Sequence, residues 1–551
     1  MMQPQPPSTT STTSTIPAAQ PASGFTPPDA YNVTATFLDR SLAAGWGERT
    51  AIYFNSEQWT YAQLAEEINR VGGGLRALGV TMEERVAVLL YDSPQFAGVF
   101  FGAMKIGVVA VPINTQLRPQ DYLYMLNDSR ASALVVEADL WALLAPMREQ
   151  FPFLRQVILV RGDGGSDVTG TMSYDALVAA GSSTLVAAPT TRDDAAFWLY
   201  SSGSTGFPKG CVHLQHDMAF CCEHYARPVL GIRPDDITFS AAKLYFAYGL
   251  GNGLYFPMGV GASAIHYPGR MTAEVAFRVI SDQRPTIFFG SPTLFAAMLA
   301  MSDTASRFDT SSLRLCVSAG ESLPADIFNR WRDRFGVEIL DGIGSTEMLH
   351  IFISNRAGEV KPGSTGKPVP GYSALIVDEQ GQPVPQGEIG NLLVAGDSAC
   401  AFYWNKHQRS RTTFLGPWTQ TGDKYYQDQD GYYWYCGRSD DMLKVSGQWV
   451  SPAEVEAALI AHPAVLQAAV VGYEDGEGLT KPYAFIVLKQ GEQPGDAMEA
   501  ALKQHVKTTL LPHKYPRWVE FVAELPMTAT GKIQRYRLRE ILAERRQTAG
   551  G

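Results

Sequence analysis

Residues Tyr200 to Gly210 read YSSGSTGFPKG, a loop that follows the apolar run AAFWLY (Ala195 to Tyr200) and is expected to lead into a helix-like segment. Glycine lets successive backbone N–H groups turn into one concavity, Ser and Thr hydroxyls add donors, and Lys209 adds a mobile positive charge. A strand-end loop with that chemistry suits phosphate groups. The Gly-x-x-x-x-Gly-Lys-Ser/Thr loop is excluded, because Gly203, Gly206 and Lys209 are spaced Gly-x-x-Gly-x-x-Lys. Pro208 precedes the lysine, and Gly210 stands where a magnesium-binding hydroxyl would be. A plain Ser/Gly linker is the competing reading, and the lysine and the flanking strand speak against it.

Outward from the loop, the apolar runs RVAVLLY, VVAVPI, SALVVE, QVILV, TIFFG and LRLCVSAG alternate with helix-like segments. In YAQLAEEINRVGGGLRALG, Leu64, Ile68, Val71, Leu75 and Leu78 recur every three or four residues, the spacing of one helix face. The alternation predicts an α/β fold. Past residue 360, glycines, prolines and short alternating runs (YSALIVD, EIGNLLVAG, GYYWYCG) predict a smaller antiparallel β subdomain. SPAEVEAALIAHP then opens a helix with Ser451 as N-cap, Pro452 in first position and Glu454 closing a capping box. QAAVVGY, PYAFIVLK and DAMEAALKQHVKTTL complete a small α+β unit. The expected organisation is a tail over 1–26, a large N-terminal domain over 27–438 with its β subdomain over 360–438, and a C-terminal domain over 439–551, joined near GRSDD (Gly437 to Asp441).

With 551 residues, 45% of them hydrophobic, the chain has material for more than one core. A formal net charge of −10 argues against a nucleic acid or a membrane surface as partner of the whole molecule. No apolar run approaches the ~20 residues that span a bilayer. The opening segment MMQPQPPSTTSTTSTIPAAQPASG carries no charge, no basic n-region and no apolar h-region, so it reads as a disordered tail rather than a secretion signal. Cys211, Cys221, Cys222, Cys316, Cys400 and Cys436 are scattered without C-x-x-C spacing, as expected in a reducing cytoplasm. His213 and His216 form H-x-x-H, yet no third ligand stands at convincing spacing, and the metal reading is set aside.

Two carboxylates stand beside further Gly/Ser/Thr turns, Glu347 in DGIGSTE (Asp341 to Glu347) and Asp423 in TGD (Thr421 to Asp423). Each motif alone is weak, but their order is informative. YSSGSTGFPKG, SAGESLP (Ser318 to Pro324), DGIGSTE, GEIGNLLVAG (Gly387 to Gly396), TGD, YCGRSDDMLKVSG (Tyr435 to Gly447) and TATGKIQR (Thr528 to Arg535) together resemble the acyl-adenylate-forming superfamily. The resemblance runs over residues 30 to 545. KLYFAYGLGNGLYFP, DGIGSTEMLHIF and SDDMLKVSGQWVSP are similar to its benzoate–CoA ligase branch.

That resemblance implies a large α/β domain with a mobile C-terminal domain, and ATP, Mg2+ and coenzyme A as the chemical partners of an aromatic carboxylic acid. It assigns Ser202, Gly203, Ser204, Thr205, Gly206 and Lys209 to the ATP phosphates, Gly320, Glu321, Asp341, Gly342, Ile343 and Tyr435 to the adenine, and Thr346 to ATP or AMP binding. Asp423 is implied for the ribose hydroxyls, Arg438 for ribose or phosphate, and Glu347 for the magnesium ion. Ile343 replaces the aromatic residue usual in the family, so apolar contact with the base is expected there in place of stacking. Lys532 is implied as the catalytic cation of adenylation, Asp440 as the hinge, and Lys444, Ser446, Gly447 and Trp449 as the coenzyme A face. Phe246, Ala247, Tyr248, Gly249, Gly344 and His350 would form the acid slot, although aromatic stripes of this kind also build ordinary cores. Loading of a carrier-protein thiol and noncatalytic acyl-adenylate binding are the alternatives. The lack of a Ser-bearing carrier segment after residue 545 disfavours the first, and Lys532 with Glu347 the second. Monomer and homodimer both stay open.

Overall fold

In the computed structural model of the chain, residues 25–161, 170–203, 206–302, 304–439, 441–445, 448–475, 479–527 and 533–549 are described. The expected tail falls almost wholly outside them, as do Ser204, Thr205, Asp440, Ser446, Gly447 and Lys532; of Ser202 and Trp449 only the backbone is described.

The α/β expectation holds. Two large sheets carry the N-terminal part of the chain. One runs, in spatial order, Phe402–Tyr403, Gly206–Leu214, Ala195–Gly203, Val109–Pro112, Arg85–Leu89, Ala133–Glu137, Gln156–Val160 and Met172–Ser173. The other runs Lys367–Pro368, Ile351–Ser354, Ile339–Gly344, Leu315–Ser318, Ile287–Gly290, Ile237–Ser240, Ser263–His266, Thr50–Phe54 and Glu57–Thr60. Their central strands are parallel and read as unbroken apolar runs because both faces are covered. Val86 and Val88 point into a core shared with Ile287 and Phe289 of the other sheet, whereas Ala87 and Leu89 enter a second cluster on the outer face.

Helices Tyr61–Ala77 and Pro94–Lys105 lie in the shared core. The first begins at a complete capping box, with Thr60 accepting from the Gln63 N–H and Gln63 accepting from the Thr60 N–H, and it buries Leu64, Ile68, Val71 and Leu75. Three consecutive glycines weaken a helix, but a Cβ on Gly72 would stand 2.7 Å from the Gly102 carbonyl oxygen, so close helix packing requires the gap.

The β subdomain is an antiparallel sheet of Ser373–Val377, Gly390–Ala395, Trp418–Gln427, Phe414–Leu415 and Tyr433–Arg438. Two strands from within the expected 360–438 span join other sheets, Lys367–Pro368 in one and Phe402–Tyr403 in the other. The C-terminal unit is a sheet of Val465–Glu474, Thr480–Leu488 and Trp518–Phe521 between helices. Pro452–Ile460 and Asp496–Thr509 cover one face and Arg535–Ala549 the other. Ser451 caps its helix through the Glu454 N–H at 3.1 Å. The expected box is only half formed, because the Glu454 carboxylate turns away to the Lys514 ammonium at 2.6 Å. Buried Glu456 binds Arg535 at 2.7 Å and accepts the Val470 N–H at 2.8 Å, which fixes the start of the terminal helix. Arg539 reaches Asp441 at 2.7 Å.

All six cysteines are buried and unbridged. Among the described residues no helix is long and apolar enough to cross a membrane.

Candidate active site

The glycine-rich loop is set differently from expectation. It is the tip of an antiparallel hairpin, with Tyr200 opposite Gly210 and Ser201 opposite Lys209, and the segment after it is strand Gly206–Leu214, not a helix. Side-chain stacking holds the hairpin in place. Trp198 lies against Trp404 with ring centroids 4.6 Å apart, and Phe197 lies against His213 at 5.1 Å. Phe207, 72% exposed, stacks on Tyr124 at 4.6 Å, and the Tyr124 hydroxyl donates to the Pro208 carbonyl at 3.0 Å.

The DGIGSTE motif meets this hairpin. His213 Nε2 is 2.8 Å from the Thr346 carbonyl oxygen and Nδ1 is 2.7 Å from the Asp217 carboxylate, so this histidine ties hairpin to turn. Glu347, the next residue, has its carboxylate 17% exposed at the hairpin. Its Oε1 accepts from the Tyr403 hydroxyl at 2.7 Å and from the Ser201 hydroxyl at 3.2 Å, and the Lys209 ammonium stands 3.8 Å away. No described residue is hydrogen-bonded to Oε2. Ser201 and Tyr403 were not singled out by the sequence. Tyr403 is 56 residues from Glu347 in the chain and arrives on a two-residue strand, so no spacing pattern points to it.

The residues assigned to the nucleoside gather at strand ends. Gly290, Ser318 and Asp341 sit side by side where the parallel pairing of three strands ends, on the usual ligand edge of an open α/β sheet. Asp341 is buried, one carboxylate oxygen accepting the Leu323 N–H and the other, Oδ1, unpartnered among the described residues; burial pushes its pKa well above the usual carboxylate range. Gly320 adopts a φ of +96°, and Glu321 accepts from the Thr293 hydroxyl at 2.8 Å. Ile343 packs against the shared core. In the β subdomain, Asp423 pairs with Arg438 at 3.1 Å across adjacent strands, and Arg438 also donates to the Thr421 carbonyl. The Asp423 charge raises the Arg438 pKa. Gly422 is required there: its φ is +76°, and a Cβ would stand 3.0 Å from the Arg438 guanidinium. Tyr435 is largely buried beside Tyr425, and burial raises its pKa.

Of the acid-slot candidates, Tyr248, Gly344 and His350 come together. The Tyr248 and His350 ring centroids are 5.6 Å apart, and a Cβ on Gly344 would stand 2.6 Å from the His350 carbonyl oxygen. The Tyr248 hydroxyl donates to the Val317 carbonyl at 3.2 Å, at the same strand edge as Asp341. Phe246 packs its ring against Tyr245 at 4.7 Å, and Ala247 and Gly249 begin the short helix Ala247–Leu250. Lys444 is exposed and lies opposite Trp449 in hairpin register.

His350 is 2% exposed among Tyr225, Tyr248, Tyr255 and Phe256, with Nε2 3.1 Å from the Asn252 side-chain oxygen. Burial lowers its pKa from 6.5 to about 3. The folded group therefore refuses a proton that the unfolded one accepts, so its stabilising contribution is whole above pH 6.5 and is lost as pH falls toward 3. One such proton is worth up to about 1.4 kcal/mol per pH unit. Melting temperatures of the parent between pH 7 and 4 should decline more steeply than those of His350→Gln, and parallel declines would count against a neutral buried imidazole.

The model of the AMP-binding enzymes matches residues 40–404, and that of their C-terminal domain matches residues 454–532. The chain belongs to the AMP-binding enzymes, the acyl-adenylate-forming superfamily that the motifs resemble. It is 52% identical to the benzoate–CoA ligase of Thauera aromatica over 93% of this chain and 96% of that one. It is 45% identical to a 4-hydroxybenzoate–CoA/benzoate–CoA ligase of Rhodopseudomonas palustris over 93% and 94%. Among solved structures, an anthranilate–CoA ligase in complex with anthranoyl-AMP superposes with a TM-score of 0.91 at 45% identity, covering 95% of this chain and 99% of that one. A benzoate–CoA ligase from Burkholderia xenovorans superposes at 0.85 with 46% identity, covering 92% and 100%.

Proposed function

We propose that the protein is an AMP-forming aryl acid–CoA ligase that takes benzoate, ATP and coenzyme A to benzoyl-CoA, AMP and pyrophosphate through benzoyl-adenylate. The observation that carries the reading is the meeting of Lys209 with the Glu347 carboxylate at the hairpin, with the Asp423–Arg438 pair as a second charged site. A cation from a glycine-rich turn beside a carboxylate suits a triphosphate, and a carboxylate paired with a half-exposed guanidinium suits a ribose.

In this reading the benzoate carboxylate attacks the α-phosphorus and pyrophosphate leaves. Backbone amides of the hairpin tip and Lys209 bind the departing phosphates. Glu347 offers a hard oxygen donor with Oε2 still open among the described residues, which fits magnesium, and a bound magnesium ion would supply charge neutralisation on the triphosphate. Asp423 accepts from the ribose hydroxyls, and the unpartnered Oδ1 of Asp341 faces the need of a base for a polar partner. Tyr248, Gly344 and His350 bound the ring of the acid, with His350 neutral as its burial dictates.

Lys532, implied by the TATGKIQR motif, would supply the ammonium of the first half-reaction. For the second half-reaction the C-terminal domain would rotate about Asp440 and bring the Lys444–Trp449 hairpin to the acyl carbon for attack by the coenzyme A thiol. A cytoplasmic setting is proposed from the six unbridged cysteines.

AMP release with coenzyme A tests the acid. Benzoate should exceed hexanoate and acetate in kcat/KM by more than about tenfold, because ring burial and slot shape both favour it. A preference for straight-chain acids would overturn the assignment, and absence of ATP–pyrophosphate exchange with every acid would leave only a binding protein.

A further inference from the structure

We infer that Tyr403 is a positioning residue for the nucleotide step, its hydroxyl fixing one oxygen of Glu347 while its ring carries the Lys209 ammonium, so that cation and carboxylate stay side by side without closing on each other. The inference rests on the roles proposed above for Glu347 and Lys209.

Three distances carry it. The Tyr403 hydroxyl donates to Glu347 Oε1 at 2.7 Å. The Lys209 ammonium lies 4.4 Å from the centre of the Tyr403 ring. The same ammonium is 3.8 Å from Oε1, beyond direct hydrogen-bond contact. An isolated lysine and glutamate at this separation would collapse into a contact pair, each consuming the charge the other needs to offer a ligand. Here Oε1 is already occupied by two hydroxyl donors, Ser201 and Tyr403, and the ammonium has an aromatic face to rest on. Oε2 is thereby left without a hydrogen bond among the described residues, and the ammonium is left able to swing onto phosphate.

Tyr403 is itself firmly held. Its ring is 3% exposed and packs on Phe414. The surrounding backbone is stitched to both partners: the Ala401 and Trp404 N–H groups donate to the carbonyls of Val212 and Gly210, and the Cys400 N–H donates to that of Glu347 at 2.7 Å. These bonds do not use the hydroxyl, so Tyr403→Phe should keep the fold.

The test compares the parent, Tyr403→Phe and Tyr403→Leu. ATP binding is measured by calorimetry with magnesium and with EDTA, followed by pyrophosphate exchange and by thioester formation from supplied benzoyl-adenylate. Tyr403→Phe should weaken ATP binding about tenfold with magnesium, as expected on losing a hydrogen bond to a charged group, and change it little in EDTA. Tyr403→Leu, which also removes the seat of the ammonium, should weaken binding about threefold or more in EDTA as well. Both should raise the KM for ATP more than they lower kcat, and both should spare thioester formation.

Unchanged ATP affinity in Tyr403→Phe, or equal loss in both half-reactions, would overturn the inference. A parent that binds ATP without exchanging pyrophosphate would sink the proposed reaction, while the binding measurements would still decide Tyr403. A parent that binds no ATP would sink both.

Discussion

Lys532→Ala is expected to lower benzoyl-adenylate formation by on the order of 10²–10³, the cost of removing a preorganised electrostatic group, while leaving the reaction of supplied benzoyl-adenylate with coenzyme A near the parental rate. The first half-reaction brings a carboxylate against a phosphate, and a positioned ammonium offsets the repulsion while holding the two in line. The second joins a thiol to an acyl carbon after pyrophosphate has gone, with Lys532 swung away. Pyrophosphate exchange and thioester formation measured separately make the test. Equal loss of both, with the melting temperature unchanged, would contradict alternation between two faces of the C-terminal domain. The anchoring of the terminal helix by Glu456 through Arg535 lies three residues beyond Lys532, and the alanine leaves it in place.

Glu347→Gln carries the second large effect. The amide keeps an oxygen for the hydroxyls of Ser201 and Tyr403, so the hairpin contacts survive and the melting temperature should move little. What disappears is the charge that answers Lys209 and favours magnesium. Adenylation should fall by on the order of 10²-fold, with the magnesium concentration for half-maximal rate raised, because a metal ion contributes several kcal/mol of charge stabilisation in such transfers. Thioester formation from supplied adenylate should be spared, since the groups Glu347 acts on have left by then. A variant whose magnesium dependence matched the parent would remove Glu347 from that role.

The sequence reached much of this arrangement because its signals are local. The helix over Leu64, Ile68, Val71 and Leu75 and the buried strands could be read from period and apolar continuity, since each depends on neighbours within a few residues. Glu347, Asp423 and Arg438 are legible through motifs in a characteristic order, and the structure pairs Asp423 with Arg438 across adjacent strands. The hairpin is not legible in the sequence because Gly206–Leu214 contains a proline and two glycines and does not look like a strand. Pro208 is tolerated where the register shifts between Ser201 and Gly203. Tyr403 was illegible for a different reason: its value comes from a register, Tyr403 opposite Cys211, that joins segments nearly two hundred residues apart in the chain. The failed half of the Glu454 capping box has the same origin, a distant lysine outcompeting a local N–H.

The six buried thiols bear on redox chemistry. Thiol–disulfide exchange requires an accessible thiolate. Burial lifts Cys221 and Cys436 to about 12 and pushes Cys222, Cys316 and Cys400 upward as well. A protein proposed to handle a free thiol at every turnover also meets that cosubstrate in its oxidised, disulfide form. With Cys400 packed directly behind the Glu347 backbone and the other sulfurs equally enclosed, the folded chain gives such a disulfide nothing to exchange with. Oxidation of the cosubstrate pool would then starve the second half-reaction without capping the protein, and reduction of the pool alone would restore it.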